Sequence, residues 1–175
     1  MQIHKSELLK TILVLALIVL GSKTKFSLAG VPLVFADGII IAWSLYRHFP
    51  NSAIPSFLFL LMGSIGLPVF ASGLTGAEAW SSRTAGYLAG YFLITLPLTV
   101  RKEKNGFADL LLRGVLLYLL LQSSGMIVYM QKTETDISSF LENVLLPFAP
   151  FGLLKVLLAC TAVYLLRKAE EKKTD

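Results

Sequence analysis

The sequence predicts an all-α membrane protein with six transmembrane helices and both termini in the cytoplasm, and three observations carry that expectation. Of its 175 residues, 55% are apolar and 15% charged, and the mean hydropathy of +0.69 does not suit the water-facing surface of a small domain. Apolar runs recur along the whole chain, at residues 11–20, 31–46, 54–70, 85–100, 110–129 and 145–166. The charged residues collect between those runs, as they do in the loops of membrane proteins. Spans are expected at 8–21, 32–46, 54–70, 84–100, 107–130 and 147–166. Residues 1–175 then form a single integral domain that crosses the cell (inner, cytoplasmic) membrane several times.

The first run follows Lys5 and Lys10. That arrangement suits a retained span or a cleaved signal peptide, with Val19 and Gly21 in a weak cleavage-site spacing. Retention is the expectation, because removal would leave five helices and reverse the balance of inside and outside termini. The second span opens at Pro32, and the third opens at Pro55 and carries Pro68 near its far end. Proline lacks the amide hydrogen that continues a helix, so each of these reads as a boundary. Thr84 opens the fourth span, where Gly86 and Gly90 form a GxxxG spacing that lets another helix approach closely. The fifth follows, and Pro147 and Pro150 stand at the head of the sixth.

Lysine and arginine set the orientation. One side holds Lys5, Lys10, Arg47, Arg101, Lys102, Lys104, Arg167, Lys168, Lys172 and Lys173, whereas the other holds Lys23, Lys25, Arg83 and Lys132. The first side is therefore cytoplasmic, and the loop with Glu134, Asp136 and Glu142 faces out. Arg113 lies near enough to the cytoplasmic end of the fifth helix to snorkel. The net charge of +5 sits in short clusters without a basic stripe interleaved with aromatics, which argues against nucleic acid as a partner. Cys160, the only cysteine, lies inside an apolar run and reads as a small buried side chain. His4 and His48 are too far apart for a metal pair, so neither metal nor cofactor is expected. The sequence has no HExxH, GxSxG or GxxxxGKS/T pattern. The chain is therefore not expected to be an enzyme, and any ATP-driven step needs a separate ATPase.

A span needs about 20 residues at about 1.5 Å each. The helices trimmed by Pro32, Pro68, Pro147 and Pro150 fall short of that on their outer side. Non-helical backbone at membrane depth is tolerated only where protein buries it or a cavity hydrates it. The expectation is an outward-opening cavity for a small molecule, roofed by loops 21–31, 71–83 and 131–146. No internal repeat is visible, which argues against an inverted-repeat transporter.

Two ionisable residues lie within spans near that surface. Asp37 and Lys155 each fall about 8 Å below a proline, Pro32 and Pro150, at a rise of roughly 1.5 Å per residue. An unpaired charge in hydrocarbon is costly. Two readings are open: the pair neutralises itself between helices, or Lys155 holds a substrate carboxylate while Asp37 accepts hydrogen bonds from substrate N–H groups. Both hold in alternation if the pair closes when the site is empty. Arg83, just before Thr84, Gly86 and Tyr87, is either an anion clamp or an interfacial anchor. Trp43, Trp80, Tyr87, Tyr91, Tyr118 and Tyr129 are spread along the chain, several near expected interfaces where aromatics anchor spans. Trp80, close to Glu78 in an outer loop, is a candidate to cover an apolar part of the ligand.

The stretch GSIGLPVFASG at 63–73 resembles the GAIGLPVFAGG signature of BioY proteins, the biotin-binding S components of energy-coupling-factor (ECF) transporters. RTAGYLAGY at 83–91 is similar to the family's PTGGYLLGF, and LPFAPFGLLK at 146–155 to its LPFLPGDLLK, in the same order over nearly the whole chain. The resemblance implies a compact six-helix ECF S-component-like fold with the ligand near the outer face, under the loop between the first two helices. It also implies biotin capture coupled to an energising module of one transmembrane subunit and two ATPases. Lys155 matches the Lys of the LLK motif in the binding pocket. Ser72 matches the polar position after LPVFA, and Thr84 and Tyr87 bound the segment matching TGGY.

The chain departs from the family pattern in three places. The Asp of PGDLLK is Gly152 here, with Phe151 in place of its Gly. The family's VPFTLQT is VPLVFAD at 31–37, which removes a Gln and introduces Asp37. The first helix has no AxxxA pattern. Asp37 is therefore expected to take over the missing acid's role from the neighbouring helix. Three functions remain open: biotin uptake, uptake of another small carboxylated vitamin or precursor, and a membrane scaffold subunit with a vestigial pocket. Docking on an ECF module or acting alone is likewise open.

Overall fold

The computed structural model describes residues 5–28, 31–71, 73–96 and 106–174. His4, Ser72, Arg101, Lys102 and Lys104 lie outside the described residues. The helices are α1 (Lys5–Lys23), α2 (Ala36–Tyr46), α3 (Ala53–Ser64), the short α4 (Gly76–Ser81), α5 (Ala85–Leu93), α6 (Phe107–Thr133), the short α7 (Ile137–Phe140) and α8 (Leu146–Thr174). Two strands, β1 (Lys25–Leu28) and β2 (Val31–Val34), interrupt them as an antiparallel hairpin with Lys25 opposite Val34 and Leu28 opposite Val31.

Four helix boundaries differ from the expected ones. The second helix begins at Ala36 instead of residue 32, because 31–34 pair as a strand; Pro32 is tolerated on a two-stranded ribbon, where a backbone N–H can be spared. The third ends at Ser64, short of residue 70, since Gly66 turns the chain with φ +104°, a conformation open to glycine. The fourth is helical only over Ala85–Leu93 among its described residues, and 97–100 lie outside them. The sixth is longer than expected. Most of loop 131–146 is helical, and Pro147 and Pro150 do not break the path. A π-helical turn, Leu141–Leu145, joins α7 to α8, with the Leu146 N–H reaching back to the Leu141 carbonyl. That wider turn places Pro147 at the start of α8, where its missing donor costs least.

The cap of α7 is polar. Asp136 accepts hydrogen bonds from the Ser138 and Ser139 amides, and the Ser139 side chain first, then these backbone donors, hold its carboxyl below the usual carboxylate range. Because its folded pKa is depressed, the cap contributes fully above the unfolded pKa and is lost as pH falls through the folded one. Asp136→Ala is expected to speed amide exchange at 138–140 near neutral pH, with parent and variant converging below that folded pKa. Hydrogen-exchange mass spectrometry across pH checks this.

Packing follows the small and branched residues. α1 lies on α2 and α3, α2 on α8, α6 on α8, and α5 most extensively on α6. Ile18, Ile40, Ile41, Phe59, Leu121 and Val156 fill the centre. Cys160 is buried as expected, its thiol donating to the Leu110 carbonyl at 3.3 Å. At the end opposite the hairpin, Arg47 pairs with Glu7 and lies over Trp43 and Tyr46, while Arg167 donates to the Leu45 carbonyl. These contacts tie α1, α2 and α8 together.

The outward faces are apolar. Leu9, Leu13 and Leu20 on α1, Leu112 and Leu116 on α6, and Leu158 and Leu165 on α8 are all exposed. Phe107–Thr133 and Ile137–Lys172 are each long and apolar enough to cross a membrane. Surfaces of this kind suit hydrocarbon rather than water.

Candidate functional site

A cavity opens at the hairpin end of the bundle, with about 100 Å³ open to the centre of a water-sized sphere. Its floor and walls come from nearly every helix. α2 supplies Asp37, α3 Phe59, α5 Tyr87, Leu88 and Tyr91, α6 Tyr118, Leu121 and Gln122, and α8 Phe148, Gly152 and Lys155. Ser82 and Thr84 line it from the turn before α5, their hydroxyls 3.1 Å apart.

The segment 65–71 forms part of the wall. Phe70 lines the cavity, meets Phe59 edge-on at 5.3 Å, and folds back so tightly on Gly63 that a Cβ there would lie 2.1 Å from the ring. The end of α1 holds this segment in place. The Ser22 hydroxyl donates to the Val69 carbonyl at 2.5 Å and the Lys23 ammonium to the Phe70 carbonyl at 3.1 Å. Two backbone carbonyls freed by the non-helical path are thereby satisfied.

Asp37 and Lys155 form the polar pole of the cavity. Lys155 Nζ is 2.5 Å from Asp37 Oδ2 and 3.1 Å from the Val34 carbonyl, while Asp37 Oδ1 accepts from the Gly38 amide at 2.8 Å. Both side chains are 12% exposed. The approach of α2 to α8 depends on Gly38, where a Cβ would stand 3.3 Å from Lys155 Cβ. The equal-depth argument from Pro32 and Pro150 rested on helix that is not there on the Pro32 side. Its conclusion survives because the hairpin delivers Asp37 in the first turn of α2, at the level of Lys155.

The candidate residues divide. Asp37, Lys155, Thr84 and Tyr87 line one cavity. Arg83, just before α5, is exposed, has its guanidinium 6.0 Å from the centre of the Tyr129 ring, and is not part of the cavity lining. Trp80 is 40% exposed, donates from Nε1 to Ser64 Oγ at 2.8 Å, which holds α4 to the end of α3, and is not part of the cavity lining. Ser72 falls outside the described residues. Tyr91 and Tyr118 are buried wall residues, not interfacial anchors. The wall residue Gln122 had a signal in the sequence, being a polar side chain in the middle of the apolar run 110–129. Among the described residues, no three His, Cys, Asp or Glu come together as metal ligands.

Comparison with known proteins agrees with this architecture. The model of the BioY family matches residues 1–172. The chain is 29% identical over 170 residues to the biotin transporter BioY of Thermotoga maritima, covering 95% of this chain and 99% of that one. The crystal structure of the S-component for biotin from an ECF-type ABC transporter superposes with a TM-score of 0.75 over 95% of each chain at 21% identity, a likeness of fold. The protein is a membrane protein, and with the family model spanning almost its whole length, the chain belongs to the BioY family.

Proposed function

We propose that this protein is the substrate-binding transmembrane component for uptake of biotin, energised by a separate ATPase module. The observation that carries the reading is the Asp37–Lys155 pair, two opposite charges set at 2.5 Å in the wall of a cavity that closes the hairpin end of a BioY-family bundle. The chain crosses the cell membrane six times with both termini in the cytoplasm, so that the cavity faces out. An ECF transmembrane subunit with two ATPases is the partner this reading calls for.

The site works by exchange of partners. In the empty protein the ammonium and carboxylate neutralise each other. An arriving ligand carboxylate takes Lys155, whose four-carbon arm lets the head group swing, while Asp37 stays fixed by the Gly38 amide. Asp37, now without its cation, accepts hydrogen bonds from the ligand's ring N–H groups. The bound ligand leaves the cavity with one net negative charge, which hydrogen bonds to Asp37 from the ligand N–H groups and from the Gly38 amide partly offset. Thr84, Tyr87 and Ser72 complete the polar contacts. Arg83 draws anionic ligand to the rim, and Trp80 shapes the mouth.

A second reading, another small carboxylated vitamin in the same fold, is favoured by Gly152, which stands where the family pattern has an acid, and by Asp37. Titration calorimetry of the purified protein with biotin, desthiobiotin and a panel of other vitamins decides. Nanomolar to low micromolar binding of biotin is the expected result. Selective binding of a different vitamin would replace biotin with the second reading, and no binding at all would leave a scaffold subunit.

A further inference from the structure

Gly152, in the lining of the cavity, has no room for a side chain. A Cβ built there would stand 2.1 Å from the Tyr118 hydroxyl oxygen and 2.3 Å from Tyr118 Cζ, so no other residue fits while the phenol holds this position. The constraint is one of space. Gly152 lies within α8 and is not among the glycines with positive φ. Tyr118 is only 5% exposed, lines the cavity, and has no hydrogen-bond partner for its hydroxyl among the described residues. The hydroxyl is not among the buried atoms left unsatisfied in the described residues, so it keeps access to the cavity, where a ligand can meet it.

The charged pair leaves the neutral donors of the lining, among them Ser82, Thr84, Tyr87, Tyr118 and Gln122, to meet a ligand carbonyl, and the Ser82 and Thr84 hydroxyls already meet each other at 3.1 Å. An ionised Asp37 can only accept hydrogen bonds and Lys155 can only donate them. Lys155 is also committed to charge balance. The Tyr118 hydroxyl is a neutral donor, and its residue lines the same cavity as Asp37. A ligand head that carries N–H on one edge and a carbonyl on the other matches an acceptor and a neutral donor that line one cavity.

We propose that Gly152 and Tyr118 act together as a specificity element: the empty berth at 152 admits the Tyr118 phenol, whose hydroxyl donates to the carbonyl oxygen of the ligand's cyclic urea while Asp37 takes its N–H groups. This rests on the reading that the cavity holds biotin. It makes Tyr118 a ligand-contacting residue and Gly152 the residue that positions it.

Calorimetric titration of the full-length protein with biotin, and with biotin whose ring carbonyl oxygen is replaced by sulfur, tests the assignment, since a thione is the weaker acceptor. The parent protein is expected to prefer biotin by about tenfold. Tyr118→Phe keeps the ring and its packing; it should bind biotin about tenfold more weakly, bind the thione almost as the parent does, and so lose the preference. Gly152→Ala should weaken biotin similarly in the parent and have little further effect in a Tyr118→Leu background, where no phenol remains to be displaced. Should Tyr118→Phe leave the preference intact, or weaken both ligands equally, the assignment falls although biotin binding stands. Failure of the parent itself to bind biotin would overturn the reading of the site and this inference with it.

Discussion

Lys155→Ala is expected to lower biotin affinity by more than about a hundredfold and to destabilise the protein as well. Two effects are superposed in that variant. The ligand carboxylate loses its cation, and Asp37 is left as an uncompensated acid that is 12% exposed in an apolar wall. Breaking a buried pair from one side costs about 3–5 kcal/mol, most of it the penalty of the orphaned partner. The single variant cannot tell a ligand site from a structural ion pair.

Removing both charges separates them. Asp37→Leu combined with Lys155→Met replaces the pair with apolar side chains of similar volume, an exchange often neutral for stability. The double variant is expected to melt within a few degrees of the parent in detergent and to bind biotin no better than Lys155→Ala. Parental affinity in the double variant would make the pair a structural tie alone. Asp37→Asn isolates the acid, because the amide still occupies the space but can neither balance Lys155 nor accept as strongly from ligand N–H groups. If Asp37→Asn bound biotin like the parent while Lys155→Ala did not, Asp37 would have no part in recognition.

The charged pair was legible in the sequence for the same reason that it matters. A charge inside an apolar run demands a partner, and only two such residues stood in the outer halves of their spans, so Asp37 and Lys155 could be matched across 118 positions without a structure. Tyr118 could not be found that way. In a membrane protein the lipid-facing and core-facing sides of a helix are both apolar, so the 3.6-residue period that orients a water-soluble helix is faint. On α6 the buried Leu117 and Leu121 and the exposed Leu112 and Leu116 are the same residue type. Gln122, one turn from Tyr118, was the only hint that this face meets a cavity. The prolines misled for a different reason. Their cost is local, and the π turn at Leu141–Leu145 absorbs it at Pro147 without ending the helix. The hairpin escaped notice because 25–34 are too short a stretch for alternation to register against a hydrophobic background.

Gly86 and Gly90, the GxxxG spacing of the fourth span, pack against α6, and the structure predicts unequal consequences for the two. A Cβ at Gly86 would lie 2.2 Å from the Ser124 carbonyl oxygen and 3.0 Å from Gly125 Cα, both backbone atoms of a helix that cannot yield without moving whole. At Gly90 the obstacles are the Ser124 hydroxyl at 2.2 Å and Leu121 Cδ1 at 2.7 Å, the ends of side chains that can rotate. Gly86→Val should therefore force α5 off α6. Overpacking typically costs about 1–3 kcal/mol and more where backbone must shift, so a fall in melting temperature of several degrees or more, and loss of the monodisperse peak in size exclusion, are expected. Gly90→Ala should cost less, and Gly90→Ala with Ser124→Ala should recover most of that loss by clearing the hydroxyl from the path. Because Tyr87 and Tyr91 reach the cavity from this helix, any displacement of α5 also moves two walls of the site. Gly86→Val is thus expected to lose biotin binding along with stability, whereas the Gly90→Ala, Ser124→Ala pair retains both. Equal damage at the two glycines would mean that the α5–α6 contact is softer than a backbone-limited approach allows.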